Sequence, residues 1–79
     1  MTLKDVRNAL VGSFDSVGFS RKDACFVAKR GYFYRHGMTA DGAAAAVKTR
    51  FPTATILEAN DRWHAWPKDS YFEVRFVVE

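Results

Sequence analysis

The stretch Ser70-Tyr71-Phe72-Glu73-Val74-Arg75-Phe76-Val77-Val78-Glu79 alternates in polarity at every second residue. On an extended chain, successive side chains point to opposite faces. One face of this stretch therefore carries an apolar stripe made of Phe72, Val74, Phe76 and Val78. The other face carries Tyr71, Glu73, Arg75, Val77 and Glu79. This period predicts a strand with one buried face, which other parts of the chain must cover.

Two segments have the pattern of short amphipathic helices that would cover this strand. The first begins at Thr2, where a hydroxyl and the acid Asp5 complement the amides of the first turn. We predict a helix from Leu3 to Ser16 that is capped by Gly18. Its apolar stripe has the three- and four-residue spacing of a helix face and consists of Leu3, Val6, Leu10, Phe14 and Val17.

The second predicted helix is rich in alanine. Thr39 is a good N-cap, Asp41 lies in the first turn, and Pro52 ends the helix. Its apolar face consists of Ala40, Ala43, Ala44, Val47 and Phe51. The small alanine side chains let this helix lie close against a sheet.

Two more segments are rich in strand-forming residues. One starts at Cys25 and continues through Tyr34, with Gly31 marking a bulge or a tight turn. We predict that its Cys25 and Val27 side is buried, with Lys29 turned outward by a bulge. A helix over Arg21–Arg30 is the alternative for its first part. The other predicted strand covers residues 54–59 and is apolar on both faces.

The predicted order of elements is helix, strand, helix, strand, strand. We predict one α+β domain over residues 1–79, built as two layers, with a small mixed sheet and both helices on one face. The last two strands are predicted to be antiparallel neighbours. The 48% hydrophobic content argues against disorder.

Composition also limits the cell compartment and the partner. One cysteine excludes an internal disulfide framework, and no apolar run approaches the roughly 20 residues that span a bilayer. We expect a soluble cytoplasmic protein without a membrane partner. The net charge is +3, but residues 1–40 carry +4 and residues 41–79 carry −1. The basic residues gather between Arg21 and Arg35, which favours an acidic partner or phosphate.

No catalytic or metal-binding motif is present. Cys25 lies in an apolar strand pattern, where a lone cysteine is typically a small buried side chain. His36 and His64 have no ligand spacing relative to each other or to Cys25. Residues 37–42 contain two glycines, but no Lys-Ser/Thr pair follows as in a phosphate-binding loop. We therefore expect no enzyme, no cofactor and no metal site.

The residues that remain are types enriched at binding surfaces. We predict a partner-binding surface on the uncovered sheet face, made of Arg30, Tyr32, Tyr34, Arg35, Tyr71 and Arg75. The alternative is a nucleic-acid-binding module, since arginines between exposed aromatics also stack bases. Residues 30–34 look like part of an RNA-recognition-motif signature, but they depart from it at Phe33, and a second matching strand motif is missing.

Several short motifs resemble those of small proteins encoded by bacteriophages and prophages. They are Tyr32-Phe33-Tyr34-Arg35-His36-Gly37, Thr39-Ala40, Phe51-Pro52-x-Ala54, Trp63-His64-Ala65-Trp66 and Ser70-Tyr71-Phe72-x-Val74-x-Phe76. Anti-CRISPR inhibitors are one class of such small single-domain phage proteins. The resemblance implies a non-enzymatic inhibitor that binds and blocks a larger partner, such as a CRISPR effector complex, in the cytoplasm of a bacterial host. The +3 charge argues against the acidic nucleic-acid mimicry that many such inhibitors use.

Overall fold

The computed structural model describes residues 2–31, 39–62 and 71–78. These residues form two helices and four strands. The elements are α1 (Leu3–Leu10), β1 (Ser16–Ser20), β2 (Cys25–Gly31), α2 (Ala40–Arg50), β3 (Thr55–Arg62) and β4 (Tyr71–Val77). The predicted α+β class is confirmed, and the structure contains one strand, β1, that the sequence did not predict.

The four described strands form one sheet in the order β1-β2-β4-β3. Every neighbouring pair is antiparallel. The predicted mixed sheet is therefore wrong, because β4 lies between β2 and β3 and runs opposite to both. The prediction that the last two strands are antiparallel neighbours is confirmed, with Ile56 opposite Phe76 and Arg62 opposite Tyr71.

The alternation of β4 is confirmed on its apolar side. Phe72, Val74 and Phe76 are completely buried. The Phe76 ring stacks against two other rings, with centroids 5.7 Å from Phe26 and 6.4 Å from Phe51. This side of the central strand is the centre of the core.

Both helices contribute to that core. Val6 and Leu10 of α1, and Ala43 and Val47 of α2, are buried in the same apolar cluster as Phe76. We call this side of the sheet the helix-covered face and the opposite side, with Lys29, Tyr71, Glu73 and Arg75, the open face. The predicted helix caps are also present: the Thr2 hydroxyl accepts from Asp5 N, and the Thr39 hydroxyl accepts from Gly42 N.

Helix α1 is shorter than the sequence predicts. It ends at Leu10 rather than Ser16, because Gly12 adopts a left-handed backbone with φ of 86°. The amides of Ser13 and Phe14 both donate to the Leu10 carbonyl and close a turn. Gly12, and not Gly18, therefore lies where the helix stops. Phe14 is still buried, because the turn directs it back to the core.

The residues that follow this turn form β1, which pairs with β2 as a hairpin. Ser20 lies opposite Cys25, and the loop between them contains Ala24 with φ of 51°. The Ser20 hydroxyl accepts from Asp23 N and orders the start of the loop. The helix considered for Arg21–Arg30 is therefore wrong.

Strand β2 presents the opposite face to the core from the one predicted. Phe26 and Ala28 lie on the helix-covered face, opposite Phe76 and Val74 of β4. Lys29 reaches the open face by simple alternation, and the β2 pairing with its neighbours is regular up to Gly31. The bulge or turn that the sequence indicated at Gly31 is therefore absent from the pairing of these strands.

Candidate functional site

The structure divides the predicted partner-binding residues between the two faces of the sheet. Arg30 lies opposite Phe72 and therefore on the helix-covered face. Its side chain is only 15% exposed, and its Nη1 lies 3.6 Å from Asp15 Oδ1 and 3.3 Å from the Gly12 carbonyl. The expectation that Arg30 shares a surface with Tyr71 and Arg75 is therefore wrong. Arg30 holds the end of β2 against the turn after α1.

Tyr71 and Arg75 do lie on the open face, as predicted. They alternate with Phe72 and Val74, and in the register Tyr71 lies opposite Gly31 and Arg75 opposite Val27. The Lys29 ammonium lies 5.0 Å from the centroid of the Tyr71 ring, in a cation–π contact. The other predicted residues, Tyr32, Tyr34 and Arg35, lie outside the described part of the chain.

Glu73 lies at the centre of the open face and is nevertheless only 4% exposed. Its Oε2 lies 3.3 Å from Arg62 Nη2 and 3.4 Å from Arg75 Nε. Arg75 also donates from Nη1 to Asp23 Oδ2 at 2.8 Å. A carboxylate is costly to bury unless it is paired, and the two arginines supply that pairing. The Glu73 carboxylate has the largest effect on the pKa of Arg75 and raises it. Burial lowers this pKa by less and Asp23 adds a smaller rise, so the guanidinium stays charged.

An open groove of about 390 Å³ runs beside this network. Its floor comes from β1, β2 and β4, and its cationic lining residues are Arg7, Lys29 and Arg75. The β1 residues on this side, Ser16, Gly18 and Ser20, are small and keep the wall of the groove low. The groove is a concave surface of the open face that carries three cationic side chains.

The groove is electrostatically positive. Three cations line it, and Glu73, its one acidic lining residue, is covered by arginine side chains. No carboxylate of a described residue forms an ion pair with Arg7 or Lys29. Two of the three cationic groups therefore lack a described acidic partner. Such an arrangement attracts anionic groups and raises their local concentration.

The predicted partner-binding surface includes neither Lys29 nor Arg7, and the sequence gives no sign that Arg7 reaches this site. Arg7 lies on α1, and its Nε donates to the Val17 carbonyl at 2.8 Å, which brings the guanidinium over the edge of β1. The pattern of α1 marks Arg7 only as a polar position. Its role depends on the helix ending at Leu10, which lets β1 turn back alongside α1.

Of the residues considered for catalysis or metal binding, the structure describes Cys25 but neither histidine. Cys25 is 1% exposed, which confirms its prediction as a buried side chain. His36 and His64 lie outside the described residues. Over residues 2–31, 39–62 and 71–78, no group of three or more His, Cys, Asp and Glu side chains is arranged to hold a metal ion.

Neither described helix is long and apolar enough to cross a membrane. No protein-family model, curated protein or solved structure matches this chain. Among the described residues, the positive groove on the open face is the candidate site.

Proposed function

We propose that this chain is a non-enzymatic binding domain that docks its open face on an acidic surface of a larger protein. The observation that carries the proposal is the groove between Arg7, Lys29 and Arg75, with its one carboxylate covered by arginines. Complementary charge steers association and sets the orientation of the complex. Arginine and tyrosine add large contact areas with directional polar groups.

The resemblance to phage proteins adds a biological setting to this proposal. We propose that the chain acts in the cytoplasm of a bacterial host as an inhibitor, and that its partner is a CRISPR effector complex. A basic face suits the acidic protein surfaces of such a complex better than its nucleic-acid-binding channels.

A phage-protection assay tests this proposal. The chain is expressed in a bacterium whose CRISPR system targets an infecting phage, and plaques are counted. We expect expression to restore plaque formation. If expression restores plaques in no host across different CRISPR types, the inhibitor proposal is contradicted. The acidic-docking proposal is tested separately, by the binding of acidic peptides.

Lys29→Gln is the variant that tests the groove. Glutamine removes the charge without placing a carboxylate opposite Glu73, as Lys29→Glu would. Arg50→Gln is the matched control, because it removes one charge from the exposed end of α2, across the sheet from the groove. We expect Lys29→Gln to weaken partner binding about five- to tenfold and Arg50→Gln to leave binding unchanged.

Nucleic-acid binding remains the second candidate, because Tyr71 places an aromatic ring beside Lys29 on an open sheet face. Sheet-surface RNA-binding domains stack bases on rings in such positions. An anisotropy titration with labelled single-stranded RNA near physiological salt separates the two candidates. We expect weak, salt-sensitive association. Sub-micromolar affinity that survives physiological salt would favour the second candidate over the first.

A further inference from the structure

Strand β1 is an edge of the sheet that the described residues form, and its backbone directions follow from its contacts. The Lys29 carbonyl accepts from Asp15 N at 2.8 Å, and Gly31 N donates to Asp15 Oδ2 at 2.6 Å. These β2 groups therefore point towards the β1 side. Ser16 lies opposite Lys29 and therefore directs its N–H and C=O groups to β2. Backbone direction alternates along a strand, so Val17 and Phe19 direct their N–H and C=O groups away from β2.

The Arg7 contact agrees with this assignment. The Val17 carbonyl accepts the Arg7 guanidinium from outside the sheet, so it points away from β2. Phe19, two residues later on the same edge, is 48% exposed. Exposed edge strands offer unpaired N–H and C=O groups to another chain, and charged side chains often protect them. Here β1 itself carries no charged residue, and Arg7 protects the Val17 end alone.

Two concave surfaces meet across this edge. The positive groove lies on the open face, and a second hollow of about 320 Å³ lies on the helix side. Apolar side chains dominate the second hollow, namely Leu10, Val11, Phe14 and Val17. Arg7, Ser16 and Val17 line both hollows. Val11 is 75% exposed and leaves the second hollow open to solvent.

We infer that β1 accepts an extended segment of a partner protein as a fifth strand, and that this segment alternates acidic and apolar residues. Side chains of an added strand alternate between the two faces of the sheet. Its acidic residues would meet Arg7, Lys29 and Arg75, and its apolar residues would meet the hollow beside Val11. The inference rests on the proposed acidic docking and adds the conformation and sequence pattern of the docked segment.

Charge selects this occupant over a second copy of the chain. Two copies paired through β1 would place two positive grooves side by side, which like-charge repulsion disfavours. An acidic strand neutralises the groove. It also replaces Arg7 at the Val17 carbonyl with a backbone N–H and frees the guanidinium for a carboxylate of the segment.

The binding experiment uses a labelled peptide of about eight residues that alternates glutamate with valine. A control peptide has the same composition, with the glutamates grouped before the valines. We expect the alternating peptide to bind about tenfold more tightly, because the grouped peptide cannot place acids and valines on separate faces. Equal affinity of the two peptides, reduced equally by Lys29→Gln, would overturn strand addition and leave acidic docking supported. No binding of either peptide would count against both.

Phe19→Pro and Phe19→Ala separate the backbone contribution from the side chain. Both variants lose the edge-to-face contact with Phe26, whose ring centroid lies 5.2 Å away. Proline alone removes the outward N–H, and edge positions tolerate it. We expect Phe19→Pro to weaken the alternating peptide about tenfold relative to Phe19→Ala. Equal affinities of the two variants would overturn the inference.

Amide hydrogen exchange of the unaltered protein gives a test that no substitution can disturb. We expect saturating alternating peptide to slow exchange at Val17 and Phe19, while the outer strand β3 keeps its rates. Unchanged exchange at both amides would overturn the inference. The exchange is also measured without peptide at rising protein concentration. Slower exchange at Val17 and Phe19 under these conditions would identify a second copy of the chain as the occupant and would also overturn the inference.

Discussion

The two faces of β4 are built from alternating residues of one strand and are stabilised in different ways. Phe72, Val74 and Phe76 on the helix-covered face are buried by hydrocarbon from both helices. Glu73 on the open face is buried almost as completely, but by the side chains of Arg62 and Arg75. Burial of the first kind is the main source of folding free energy, whereas burial of the second kind fixes the positions of charges.

The largest expected effect is on the helix-covered face. We expect Phe76→Ala to lower the free energy of unfolding by about 3–5 kcal/mol, because it leaves a cavity between Phe26 and Phe51. Urea unfolding followed by circular dichroism measures the change. Phe19→Ala is the control, since Phe19 also contacts Phe26 but is half exposed. Similar losses for the two variants would show that the core is assigned to the wrong face.

The next effect is on the open face. We expect Glu73→Gln to lower the free energy of unfolding by about 1–2 kcal/mol, because glutamine keeps the shape but loses the charge between two arginines. Glu58→Gln is the control, since Glu58 is exposed and its contact with Arg62 is 3.9 Å. We expect a change below about 0.5 kcal/mol for the control. A smaller loss for Glu73→Gln than for Glu58→Gln would contradict the distinction between the faces.

A smaller effect concerns the helix that covers one end of the core. We expect Thr2→Ala to cost about 1 kcal/mol at neutral pH, because it removes the N-cap of α1. Two hydrogen bonds with Thr2 lower the pKa of Asp5 below its ordinary value. The bond with the Thr2 side chain has the larger effect, and the bond with the Thr2 backbone has the smaller one. This contribution to stability is therefore present above the unfolded pKa and is lost as pH falls through the folded one.

Thermal unfolding of both proteins across acid pH measures this loss. We expect the difference in melting temperature between the parent and Thr2→Ala to shrink below about pH 4. A difference that stays constant down to pH 2 would show that Asp5 does not take part in the cap.

The smallest expected effect concerns the hairpin that sets the edge of the open face. We expect Ala24→Gly to raise the free energy of unfolding by about 0.5 kcal/mol, because glycine adopts the φ of 51° without strain. Ala45→Gly on the exposed side of α2 is the control and is expected to cost about 1 kcal/mol. The same sign for both substitutions would show that the loop does not strain Ala24.

Local patterns in the sequence predict the parts of this fold that depend on local chemistry. The β4 alternation and the Thr2 and Thr39 caps each involve residues within a few positions of one another, and all are present. The sequence predicts too long a first helix, because its apolar residues keep helical spacing through Phe14 and Val17. A single left-handed glycine, Gly12, changes how those same residues reach the core.

The candidate site was harder to predict, because it depends on long-range pairing. Phe26 and Ala28 alternate with the apolar residues Cys25 and Val27, so period two does not decide which side of β2 faces the helices. Because the side with Phe26 and Ala28 faces the helices, Arg30 lies beside Asp15 and Lys29 lies on the open face. Arg7 reaches the groove only through the turn that ends α1. Neither contact has a signal within a few residues of sequence.

The position of β4 in the sheet has a consequence for synthesis on the ribosome. It lies between β2 and β3, yet it follows both along the chain. When the earlier five elements have emerged, β2 and β3 still lack the strand that pairs with each of them. The nascent domain therefore exposes the two strand edges that β4 covers, and the apolar sides of both helices, until β4 has left the ribosome. Because its central pairings form last, this chain is most exposed to chaperones and proteases in that interval.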